Sequence, residues 1–203
     1  MDNLSKLFGS PARVKLLRLF VFNGDAVFDR DSIVKFSRIT PETASKELSF
    51  LARAGIIKRK NFYKKVLRPG SKVAKKRKTI GWVLDKKYVH LKPLNIFMKN
   101  SLTISDTEIR KRFGGTGSIK LLLLSGFLVD RDESPIDILL VGDRLKENLI
   151  KNTISILEAE FGREIRYMVL ETEEYNYRKR VRDKFIRDIT DFRNKKITDK
   201  LRK

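Results

Sequence analysis

The sequence predicts an α+β chain of two domains: residues 1–99, built from three helices and a β-hairpin, and residues 100–203, a small α/β unit with a mixed sheet. Three observations predict it. The first fifty residues carry three helix starts, each followed by apolar residues at helical spacing. A lysine- and arginine-rich stretch then reads as strand, loop and strand. Beyond residue 100, continuous apolar runs alternate with a helical pattern.

Ser10 can cap the first helix with Pro11 at its first position, and Val14, Leu17 and Val21 recur at helical spacing until Asn23-Gly24 stops it. Asp29 caps a short second helix running to about Arg38, with Ile33 and Phe36 turned inward. Thr40-Pro41 opens the third. There Ala44, Leu48 and Leu51 form an inward stripe, leaving Thr43, Lys46, Glu47, Ser49 and Arg53 on opposite or flanking faces, and Gly55 ends the helix. GIIKRKNFYKKVL reads as a strand, PGSKVAKKRK as a loop and TIGWVLD as the returning strand. Three helices followed by such a hairpin make a winged helix. YVHLKPLNIFMKN is expected to connect into a short helix with Pro93 near its start, which places the domain boundary close to residue 100.

In the second domain, Ser105-Asp106-Thr107-Glu108 is a capping box, so a helix is expected over about 105–113, stopping at the glycines of GGTG. SIKLLLLSGFLV and PIDILLVGD are apolar runs bounded by turns, as buried strands are, and REIRYMVLE supplies a third strand after the helical NLIKNTISILEAEF. From Glu173 onward, Tyr177, Val181, Phe185, Ile189 and Phe192 mark the apolar side of one charged helix, and the final KKITDKLRK is expected to be frayed or extended.

The formal charge is +21, and it is lopsided: residues 48–84 hold twelve basic and no acidic side chains. Such clustering points to a polyanionic partner. With no cysteine, disulfides and thiolate chemistry are excluded. His90 reads as a linker residue rather than a metal ligand, and Trp82 as the side chain packing the hairpin against the helices. Lys15 and Arg18 interrupt any signal-peptide core and no run is long enough to span a bilayer, so a cytoplasmic protein without a membrane partner is expected.

The expected partner is double-stranded DNA. On the third helix, Thr43, Lys46 and Ser49 are candidates for base contacts, because a helix in the major groove presents such side chains to base edges. Phosphate contacts are assigned to Ser45 and Arg53 and to the hairpin cations Lys58, Arg59, Lys60, Lys64, Lys65, Arg68, Lys72, Lys75, Lys76, Arg77 and Lys78. The glycines of GGTGSIK are not read as a phosphate loop. Such loops run strand, glycines, helix, whereas here a helix ends and a strand begins, which makes Gly117 a helix cap or turn residue.

LLLLSGFLVDRDESPIDILLVG resembles the nucleotidyltransferase domains of the DNA polymerase beta superfamily, whose signature is Gly-Ser after one strand and Asp-x-Asp on the next. In that family the turn holds a triphosphate, and the aspartates with a later carboxylate bind the metal ions of phosphoryl transfer. This chain departs from the pattern. Ser125-Gly126 is inverted, Pro135 occupies the first Asp position, Asp137 keeps the second, and Arg166 or its neighbours sit where the later carboxylate belongs. A single carboxylate beside a cationic strand is a poor two-metal site, so no catalysis, no metal and no cofactor are expected. The rival reading, an active metal-dependent nucleotidyltransferase, needs Asp132, Glu133 or Asp143 as substitute ligands.

The whole chain, with LFGSPARVKLLRLF in front and EFGREIRYMVLETEEYNYR behind, is similar to bacterial proteins that join a winged helix to a degenerate nucleotidyltransferase-like domain. That resemblance implies a transcriptional regulator acting as a homodimer, with the second domain serving dimerisation or partner binding. A small-molecule or protein effector is expected near Ser125, Gly126 and Asp137. An RNA- or ribosome-associated protein is the remaining alternative, since it would carry the same charge.

Overall fold

A computed structural model describes residues 3–66, 75–102, 104–129, 133–191 and 193–201. The architecture is mixed α+β, with nine α-helices and two small sheets among the described residues. The chain divides into two compact units: Met1–Ser101 with Glu158–Arg163, and Leu102–Leu157 with Glu164–Lys203.

The first unit comprises α1 (Asn3–Phe8), α2 (Pro11–Phe22), α3 (Arg30–Ser37), α4 (Pro41–Arg53), the antiparallel pair β1 (Ile57–Val66) and β2 (Lys75–Leu84), and α5 (Leu91–Asn100). Three of its helices begin where short-range chemistry dictates. The Ser10 side chain accepts from the Arg13 amide, Asp29 from Ser32 and Thr40 from Thr43, each bond relieving one orphaned amide of a first turn for about 1 kcal/mol. Leu16, Leu17 and Phe20 of α2 then pack with Ile33, Ala44, Leu48, Leu51, Ile57, Leu84 and Met98 into one core.

Trp82 joins that core at its edge and trades backbone hydrogen bonds with Phe28, so the hairpin is anchored to the segment before α3. Gly81 permits the approach. A Cβ there would stand 2.8 Å from the Phe28 carbonyl oxygen.

Two expectations for this unit need correction. Glu47 is not on an exposed face of its helix but is buried, held by the Arg13 guanidinium at 2.8 Å; the chain outside the helix supplies the cation that makes this burial tolerable. β2 begins at Lys75, so the cluster Lys75, Lys76, Arg77 and Lys78 belongs to a strand rather than to the loop, because cross-strand pairing with residues 63–66 extends the ladder. α1 was not expected from the sequence at all. Arg68 and Lys72 lie outside the described residues.

The second unit contains α6 (Asp106–Arg112), β3 (Ser118–Leu124), a 3-10 turn (Gly126–Val129), β4 (Ile138–Asp143), all but the last turn of α7 (Glu147–Phe161), β5 (Tyr167–Glu171), α8 (Thr172–Arg180), α9 (Lys184–Asp191) and β6 (Lys195–Asp199). The Ser105 cap of α6 forms as the sequence predicts, and Gly117 is a turn residue at φ 135°. The strand order is β5-β4-β3-β6, with β3 antiparallel to both neighbours and β4 parallel to β5 through the crossover helix α7. β4 is buried along ILLVG, which explains its unbroken apolar run: strands covered on both faces cannot alternate with polar residues.

Here too the ends of elements differ from expectation. SGFLV leaves the strand and coils into the 3-10 turn, because Ser125 and Gly126 are held by contacts with residues 134–137. The single charged helix is in fact two. Its chain turns at residues 181–183, where Arg182 adopts φ 53°, and Tyr177 and Val181 are exposed while Tyr175, Ile186 and Ile189 are buried. Phe192 lies outside the described residues. The final segment is a paired edge strand whose buried Ile197 anchors it against the sheet. Among the described residues, no helix is long and apolar enough to cross a membrane.

Candidate nucleic-acid interface

Strand alternation sorts the hairpin's side chains onto two faces. Arg59, Asn61 and Tyr63 of β1 share a face with Lys76, Lys78, Ile80 and Trp82 of β2, whereas Lys58, Lys60, Phe62 and Lys64 share the other with Arg77, Thr79, Gly81 and Val83. Arg59, Lys60, Lys76, Arg77 and Lys78 are all exposed and make no ion pair among the described residues. Lys60 is close enough to Asp25 to help lower that carboxyl's pKa, and the other four have no salt bridge among the described residues to offset their charge. The Arg59 guanidinium lies 6.0 Å from the centre of the Trp82 ring, an exposed cation over an aromatic face.

Two of the hairpin cations have partners in the chain. Lys64 reaches Asp29 at 2.5 Å, and Lys58 reaches Asp85 at 2.9 Å. Burial alone pushes the Asp29 carboxyl up, but hydrogen bonds from the Lys64 ammonium and from Ser32 outweigh it and leave its pKa below the usual carboxylate value. Lys64 thus fastens the hairpin to the start of α3, and neither it nor Lys58 presents the uncompensated charge expected of it. Nothing is described of the Lys65 and Lys75 side chains.

On α4 the candidate residues are brought to one end of the unit by the stripe opposite them. Lys46 and Arg53 are exposed and without an ion-pair partner among the described residues, and Ser49 is exposed beside them. The hydroxyls are less free than the sequence suggests. Ser45 donates to the Pro41 carbonyl at 3.0 Å and Ser49 to the Ser45 carbonyl at 2.9 Å, while the Thr43 hydroxyl sits 3.0 Å from that of Thr40. In this arrangement the two serines can accept from a base amino group but have no free proton to donate to a base acceptor.

Arg13 fixes the orientation of this helix. It donates to Glu47 and to the Phe8 carbonyl, and its guanidinium stacks 3.6 Å from the centre of the Phe50 ring. Glu42, exposed at the first turn of α4, stays ionised, its pKa lowered by its own backbone amide and the Thr40 hydroxyl. Tyr63, two-thirds exposed on the face shared with Arg59, Lys76 and Lys78, was not singled out from the sequence. Period-two spacing from Arg59 through Asn61 was the available signal.

In the second unit the structure brings Ser125, Gly126 and Asp137 together and buries all three. Both Asp137 oxygens are taken. One accepts from the Arg166 amide at 2.9 Å and its Nε at 3.1 Å; the other accepts from the guanidinium at 2.8 Å and, at 3.4 Å, from the Phe127 amide. Gly126 has φ 57°, and a Cβ on it would stand 2.0 Å from Asp137 Oδ1. The Ser125 hydroxyl donates to Ser134, which donates to the Ile136 carbonyl. These polar groups satisfy one another. Of the substitute ligands, Asp143 lies 4.0 Å from the Lys120 ammonium, and Asp132 is outside the described residues. Among the described residues, no three His, Cys, Asp or Glu side chains come together in a way that could hold a metal ion.

No protein-family model, no curated protein and no solved structure matches the chain.

Proposed function

We propose that the protein is a DNA-binding transcriptional regulator whose first unit is a winged helix, with α4 entering the major groove and the β1–β2 hairpin lying along the flanking phosphates. The observation that carries this reading is the set Arg59, Lys60, Lys76, Arg77 and Lys78, exposed on the two strands of one hairpin and without a salt-bridge partner among the described residues. Phosphates neutralised by such side chains release counterions, which is the main source of affinity in sequence-independent contact. Lys46, Ser49 and the half-buried Thr43 supply base readout, and Arg53 and Ser45 supply flanking phosphate contacts. Two copies binding neighbouring half-sites would form the functional dimer.

The second unit is proposed as a nucleotidyltransferase-like domain without catalysis. In support, Arg166 occupies the carboxylate that a metal ion would need, and replacing such a partner with a dication would first cost the ion pair. An active nucleotidyltransferase would instead transfer label from a nucleoside triphosphate in the presence of Mg²⁺, and would lose that activity in Asp137→Ala.

The deciding experiment is a salt-dependent titration of the full chain against random duplex DNA, structured RNA and its own upstream region. Preference for one upstream duplex that persists as salt rises is the expected result. Uniform binding that collapses with salt would remove the regulator reading, and tighter binding to structured RNA would favour a ribosome-associated role, because the deep, narrow major groove of A-form RNA does not admit a helix.

A further inference from the structure

The second unit holds a cavity of about 400 Å³ between β3, β6 and the helices α8 and α9. Its floor is apolar, made by Leu121, Leu123 and Ile186. Its rim is cationic: Lys179, Arg182, Arg187 and Lys196 face two carboxylates, Asp183 and Asp199. Both carboxylates are already engaged. Asp183 accepts from the Ile186 amide at 3.0 Å to start α9, and Asp199 accepts from Lys196 at 2.9 Å, which holds its pKa below the usual carboxylate value. Arg182 and Arg187 have no ion-pair partner among the described residues, and Lys179 adds its field to that of Lys196 at Asp199.

Tyr175 adds a neutral donor to the site. Its side chain lines the cavity and the residue is only 4% exposed, while its hydroxyl is reachable from the cavity and lies in the field of Lys196 and Asp199. Burial also raises its pKa, so it stays a neutral donor across the physiological range.

We propose that this cavity binds a small organic anion: an apolar body seated on Leu121, Leu123 and Ile186, and an acidic head held by Lys179, Arg187 and the Tyr175 hydroxyl. The size suits a single small molecule, and an apolar floor with a few convergent polar groups is the usual composition of such sites. The inference does not rest on the nucleic-acid reading. It gives the second unit a ligand site that its buried Ser125, Gly126 and Asp137 do not provide.

The test is a fluorescence titration of the full chain with 8-anilinonaphthalene-1-sulfonate, a dye with an apolar body and one acidic group, followed by displacement with octanoate or with 1-octanol. Saturable binding is expected, with octanoate displacing the dye about tenfold more effectively than the alcohol of the same length. Lys179→Glu with Arg187→Glu, both at exposed positions, should erase that preference. Tyr175→Phe should weaken octanoate about fivefold. Thr190→Trp, which plugs the rim without touching the floor, should abolish displacement. Replacing Lys75, Lys76, Arg77 and Lys78 with Ala should change none of these, which separates dye in the cavity from dye on the hairpin. Equal competition by octanoate and octanol, wild-type dye binding in Thr190→Trp, or loss of binding in the hairpin variant would each overturn the proposal.

Discussion

The hairpin and the Asp137 turn use charge in opposite ways. In the hairpin, Lys76, Arg77 and Lys78 stand exposed without an ion-pair partner among the described residues, so their field is available to another molecule. At Asp137 a guanidinium, two amides and a close-packed glycine consume the carboxylate's entire hydrogen-bonding capacity, so its charge serves the fold. The difference teaches that a charged residue's role follows from whether its partners lie inside the chain. Between these extremes stand Lys58 and Lys64, which belong to the basic run but are paired with Asp85 and Asp29.

The sharpest way to break the contrast is Gly126→Ala. A methyl group would collide with the Asp137 carboxylate and demand φ 57° of an alanine, so a loss of about 3 kcal/mol or more in urea unfolding is expected. Removing the cation should cost less. Arg166→Ala leaves a buried carboxylate with only amide donors, but the guanidinium is itself 45% exposed and water can take its place, so about 2 kcal/mol is expected, with Asp137→Asn partly restoring stability in the double variant. A loss under 0.5 kcal/mol for Arg166→Ala would show that the pair is not structural.

Lys64 sharpens the intermediate case through pH. Asp29 has a folded pKa below its ordinary value, so its pair contributes stability fully above the unfolded pKa, and that contribution disappears as pH falls through the folded one. Lys64→Ala should therefore reduce stability near neutrality by under about 1 kcal/mol, since the ammonium is partly exposed, and should flatten the decline of stability below about pH 4. Parallel acid-unfolding curves for the two proteins would sink this account.

The smallest expected effect on stability lies in the hairpin. Replacing Lys75, Lys76, Arg77 and Lys78 with Ala should leave unfolding within about 0.5 kcal/mol of the parent while reducing the slope of log affinity against log salt on duplex DNA by up to about 3 to 4. Thr43→Ala with Lys46→Ala should instead lower discrimination between an upstream duplex and random DNA. Equal losses on both duplexes from both sets would remove the division of labour between α4 and the hairpin.

The sequence by itself determined where four of the helices begin and where charge accumulates. The caps at Ser10, Asp29, Thr40 and Ser105 act on an amide three residues away, and the deficit of acidic residues around the hairpin is a property of composition. Apolar periodicity likewise announced Ala44, Leu48 and Leu51, because a helical face needs no distant information. Tertiary structure alone decided which charges are spent. Arg13 meets Glu47 across 34 residues, Lys64 meets Asp29 across 35 and Arg166 meets Asp137 across 29, and no local pattern encodes such pairings. The same holds for the break between α8 and α9, for the pairing of β6 with β3, and for the place of Tyr175 at the cavity. Each depends on what distant chain segments bring within a few ångströms, where desolvation and hydrogen bonding outweigh local preference.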